Sequence, residues 1–147
     1  MGSLNKSSVR GIAFAFRDPN NAIARVNPGI SEWYVTLGSE IFPNVPITSD
    51  VQSLFNVLRF TGIFSSRTVP EGTLVGVGYG THPLYALDLS AFEDPTQDSG
   101  TDAKNNNSQA RLVVKFNASL ANPLNLFIYV FYDSTIVFQN GEAIVLD

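Results

Sequence analysis

The feature that most constrains this chain is a period-two alternation of side chains, a pattern that belongs to a strand with one buried face. In Val9–Phe16, residues Ile12, Phe14 and Phe16 share a face, with Arg10, Gly11, Ala13 and Ala15 between them. Arg111–Phe116 is cleaner: Leu112, Val114 and Phe116 face one way and Arg111, Val113 and Lys115 the other. Leu124–Tyr132 departs from the rule because both of its faces are apolar. Leu124, Leu126, Ile128 and Val130 form one; Phe127, Tyr129 and Phe131 form the other. A sheet with one wet face has no use for that second set.

Further strands are expected at Trp33–Leu37, Thr73–Val77 and Leu84–Leu89, and at Thr135–Gln139 and Glu142–Leu146 around Asn140-Gly141, the strongest short hairpin signal. Asp18-Pro19-Asn20-Asn21 and Asn27-Pro28-Gly29 read as turns, and Pro43 and Pro46 bracket an irregular connection. One helix stands out. Ser49 or Asp50 can cap it, and Val51, Leu54, Phe55 and Leu58 follow at i, i+3, i+4 and i+7, a stripe that should lie on a sheet or plug a barrel end. The expected fold is all-β: an antiparallel eight-stranded jelly-roll sandwich with one short helix around residues 50–59. The chain of 147 residues is expected to form a single domain, with residues 1–8 a flexible or vector-derived N-terminus. At that length about two thirds of the extended surface can be buried, so a core forms without staples.

Composition then removes function classes. With no cysteine there is no disulfide framework, thiolate metal site or cysteine nucleophile. The net charge of −4 has the wrong sign for a nucleic-acid binder. The imbalance is local: residues 1–75 hold six basic and five acidic side chains, residues 76–147 three and eight. Asp88, Glu93, Asp94, Asp98 and Asp102 crowd one stretch, yet their spacing is not that of a calcium loop. No apolar run reaches the roughly 20 residues of a membrane helix. Only 15% of residues are charged, which points to a surface partly covered by another protein.

No constellation reads as chemistry. His82 is a lone histidine before a proline, with no second histidine to share a metal. Gly76-Val77-Gly78-Tyr79-Gly80 lacks the Lys-Ser/Thr of a phosphate loop and is better read as a strand face stripped of side chains. The sequons at Asn5, Asn106 and Asn117 have no secretion signal beside them. Catalytic, cofactor and metal residues are therefore expected to be none. The row Phe127, Tyr129 and Phe131 is the candidate site: a face buried against a neighbouring domain or subunit, in preference to a sugar- or base-stacking platform.

From Leu84 onward a family pattern emerges. Leu84-Tyr85-Ala86-Leu87-Asp88-Leu89-Ser90, then Asp98-Ser99-Gly100-Thr101 with Asn105–Asn107, then Arg111–Phe116, and finally the strand ending in Tyr132-Asp133, together resemble the second jelly roll of double-jelly-roll viral major capsid proteins of the virophage, Polinton-like and adintovirus type. The resemblance is good over residues 84–139. Two departures stand out: Asp102-Ala103-Lys104 separates the Ser-Gly-Thr from the asparagines, and this chain has length for one jelly roll where the family's chains hold two. The resemblance implies a structural role in the virion: homotrimeric capsomers tiling an icosahedral shell beside a second jelly roll and other capsid proteins, with no catalysis. The alternative is a carbohydrate-binding or adhesion β-sandwich.

Overall fold

Phe14 lies at the centre of the molecule, stacked on Tyr85 within its own sheet at 4.9 Å and set edge-on to Trp33 of the opposite sheet at 5.0 Å. The computed structural model describes residues 8–60, 83–90, 100–101, 110–139 and 142–146. Among them are nine strands, one more than expected: β1 (Val9–Asp18), β2 (Asn21–Arg25), β3 (Ile30–Leu37), β4 (Glu40–Ile47), β5 (Tyr85–Asp88), β6 (Ala110–Phe116), β7 (Asn125–Tyr132), β8 (Thr135–Gln139) and β9 (Glu142–Leu146). The single helix among these residues, α1, is Asp50–Phe60. The expected strand at Thr73–Val77, the glycine stretch, His82 and the acidic positions 93, 94, 98 and 102 lie outside the described residues.

Two antiparallel sheets face each other. In the first, β1 is flanked by β2 and β5 along one edge and by β7 along the other. In the second, β3 lies between β4 and β6. The pairing is nested: β1 with β7 on the outside of the chain order, β3 with β6 within it. Buried Ile12, Phe14, Phe16, Trp33, Val35, Leu37, Tyr85 and Leu87 fill the space between the sheets, and Phe16 meets Phe116 across it. The fold is thus an all-β antiparallel sandwich with one short helix. The third sheet is a two-stranded hairpin, β8 with β9, in which Gln139 pairs Glu142 as Asn140-Gly141 required.

Three sequence expectations need correction. The segment bracketed by Pro43 and Pro46 is a strand, β4, at the edge of its sheet; its pairing with β3 slips between Trp33 and Val35, and proline is tolerated where no ladder donor is needed. The helix is rotated from its apolar stripe. Its buried residue is Ser53, whose Oγ accepts the Trp33 indole N–H at 3.0 Å, while Val51 and Phe55 are 77% and 55% exposed. They line a shallow groove with Pro43, Val45 and Ile47. Ser49 is the cap: its Oγ accepts the Gln52 N–H, and the Gln52 side chain accepts the Thr48 N–H in return. Ser8, finally, is not a loose N-terminal residue. It is buried and bonded.

Candidate interaction surface

The register of β1 against β7 decides what each face of β7 touches. Ile12, Phe14 and Phe16 pair with Val130, Ile128 and Leu126, so that set points to the core side. Gly11, Ala13 and Ala15 pair with Phe131, Tyr129 and Phe127, so the aromatic row stands on the outer face of the first sheet. The three residues opposite are the smallest in β1, and all three are buried beneath this face.

The row is ordered by its neighbours. The Arg17 guanidinium lies 4.5 Å from the Phe127 ring centroid and donates to the Tyr129 hydroxyl at 3.3 Å, so one cation holds two rings. Phe131 packs edge-on against Phe60 at the end of α1, 4.9 Å between centroids. Gly11 makes that approach possible, because a Cβ there would run into the Phe60 ring and stand 2.9 Å from the Leu87 carbonyl oxygen. Arg59 secures the same helix end with Nε 3.4 Å from Asp88, whose carboxylate also accepts from the Ser90 N–H at 3.0 Å and from the Ser90 hydroxyl. Even so dressed, Tyr129 and Phe131 remain 43% and 47% exposed.

At the end of this row a polar clip closes the sheet. Asp133 accepts from Ser8 Oγ at 3.0 Å through Oδ2, pairs with Arg10 at 3.6 Å through Oδ1, and donates its N–H to the Ser8 carbonyl at 2.9 Å. Gly100 donates to Ser8 Oγ, and Thr101 exchanges two backbone bonds with Val9 while its hydroxyl donates to the Leu89 carbonyl. Gly100 and Thr101 from the Ser-Gly-Thr motif therefore meet Asp133 of the Tyr-Asp motif on the start of β1. In sequence these appeared as separate loop and strand-end patterns. Ser8, which joins them, carried no signal at all.

Beyond the clip, the β8–β9 hairpin presents apolar side chains on both faces. Ile136, Phe138 and Val145 share one, Val137 and Ile144 the other. All five are exposed, Phe138 to 79%.

Among the described residues no group of three or more His, Asp or Glu side chains is placed to hold a metal ion. No described helix is long and apolar enough to cross a membrane. The Tyr85 hydroxyl is buried without a hydrogen-bond partner among the described residues; burial first, and the Asp50 carboxylate second, push its pKa above the ordinary value. Lys115 is raised by its 2.8 Å hydrogen bond to Glu32, a cross-strand pair in open solvent. Neither arrangement is that of a reacting group. No protein-family model, curated protein or solved structure matches this chain.

Proposed function

We infer that this chain is a structural capsid subunit that assembles with itself into trimeric capsomers, in contact with a second jelly roll and other shell proteins of a virion, and performs no catalysis. The observation that carries the reading is the aromatic row on the outer face of β7, whose Tyr129 and Phe131 stay 43% and 47% exposed, a surface suited to a protein partner. Two features of the fold support it. Nested pairing of β1 with β7 around β3 with β6 is what a jelly roll makes, and the motif residues that resemble the capsid lineage converge on one clip.

The test is the solution mass of the chain by light scattering, with negative-stain microscopy of the same fractions. Trimers, rings or shells are expected. Phe127→Ser should abolish them while circular dichroism and the unfolding midpoint report a folded subunit, since Phe127 lies outside the core between the sheets. Unchanged assembly removes Phe127 from the interface. A wild-type monomer that instead binds a glycan array would favour an adhesion sandwich.

A further inference from the structure

We propose that the β8–β9 hairpin of one copy inserts Phe138 into the groove between β4 and α1 of the next copy, joining subunits head to tail. This rests on the assembly reading above and names the contact that would build its ring.

The groove follows from a single hydrogen bond. Ser53 turns inward to accept the Trp33 indole N–H. At 3.6 residues per turn, Val51 and Phe55 then lie on the opposite side of α1 and face out. Val45 of β4 lines the other wall, together with Pro43 and Ile47, the alternate residues of the same strand. The cleft measures about 400 Å³, and the described residues that line it carry no charge. Roughly 150 Å³ of apolar space is enough for a benzene ring, so this cleft has room for a phenyl group with aliphatic side chains beside it.

The hairpin supplies that group. Its register sets Ile136 opposite Val145 and Phe138 opposite Ala143, so these four residues share one apolar face. Glu142 falls on the other face. Ala143 is too small to shield the ring beside it, and Phe138 stands 79% exposed as a knob. Knob and groove are both exposed in the same subunit, at separate places on its surface. A contact between unlike patches is heterologous, and it passes from copy to copy until it closes into a ring.

Area decides what kind of contact this is. Val45, Val51 and Phe55 in the groove, with Ile136, Phe138 and Val145 on the hairpin, are each between 55% and 79% exposed. At roughly 150–200 Å² per large apolar side chain, seating the hairpin face in the groove covers on the order of 700 Å². That is less than the roughly 1,200–2,000 Å² of a stable pair, so one contact alone is transient. In a ring every copy both gives and receives, and the closing contact forms within one assembly at high effective concentration. Association should therefore pass from monomer to closed ring with little dimer between.

The experiment is sedimentation velocity of the full-length chain carrying Phe138→Asp in the hairpin or Val51→Glu in the groove. Both positions are exposed, and a carboxylate in the first turn of a helix is favoured by its dipole, so both variants should fold. Circular dichroism checks this, and Val45→Lys serves as a second groove variant should Val51→Glu unfold. Each variant should weaken association at least about 30-fold, as for a central interface residue. Because the chain has no cysteine, single Ala143→Cys and Asn56→Cys variants can be mixed and treated with a short bismaleimide. The mixture should give a cross-linked pair that neither gives alone, and Phe138→Asp in the Ala143→Cys chain should suppress it. Undiminished association of either charged variant overturns the contact; if Phe127→Ser still disrupts assembly, the capsid reading survives. Cross-links that persist with Phe138→Asp overturn it as well. Closed rings that never tile under the microscope keep the contact and overturn the shell reading. A wild-type monomer at all concentrations overturns both.

Discussion

Phe14 and Phe138 are the same side chain in the same kind of strand, and the molecule treats them in opposite ways. Phe14 is fully buried in β1, stacked on Tyr85 and wedged against Trp33. Phe138 stands almost bare on β8. The centre of the sandwich thus satisfies its apolar residues within one chain, whereas β7, β8 and β9 carry apolar residues that the chain leaves uncovered. Hydrophobicity written into a strand is a demand for cover, and the two regions differ in whether the subunit itself meets it.

That contrast can be broken most directly by truncation. Phe14→Ala should cost about 3–5 kcal/mol, a large part of the roughly 5–15 kcal/mol that holds such a domain together. Phe138→Ala should change the stability of the dilute subunit by less than about 0.5 kcal/mol. Urea titration of both at low protein concentration checks the pair; similar costs would mean that Phe138 is covered within the subunit. Gly11→Ala comes next, at about 1–3 kcal/mol, because the new methyl displaces Phe60 from the sheet. Thermal unfolding measures it, and Phe60→Ala in the same background should restore part of the loss.

Tyr85→Phe should have the smallest effect at neutral pH, since no described partner is lost with the hydroxyl. Its signature lies at alkaline pH. The folded-state pKa is raised above the unfolded value near 10, so above that pH the unfolded chain sheds a proton that the folded chain keeps. Stability from this group is therefore complete below pH 10 and falls as pH rises beyond it. Wild type should lose stability there faster than Tyr85→Phe, and parallel curves from pH 9 to 12 would rule out the buried hydroxyl as the cause.

Where alternation was strong the elements were legible: the apolar faces of β1, β6 and β7 and the β8–β9 hairpin follow from period and turn chemistry, and the two faces of β7 separate as its residues implied. β4 was not, because Pro43 and Pro46 mask a strand that survives by lying at an edge with slipped register. β2 was hidden by its polar start, where Asn21 spends its side chain on the N–H groups of Ile23 and Ala24. The helix was found but not its orientation. Periodicity locates an apolar stripe, yet the Trp33 indole needed an acceptor, and Ser53 turned inward to provide it. The aromatic row was visible in sequence. Arg17 and Phe60, which order it, come from distant segments, and no local pattern announces such a meeting.

The link between Ser8 and Asp133 spans 125 positions, and the whole of β7 pairs with β1 at comparable separation. Such a sheet closes last. Until β7 has left the ribosome, β1 has no partner on that edge, and its completion waits on the search of a long loop. Folding of this domain therefore waits on the synthesis of β7 and is slow, on the millisecond-to-second scale of non-local β proteins, with sticky strands open to neighbours meanwhile. A chain born beside many copies of itself would meet them before it has finished meeting its own beginning.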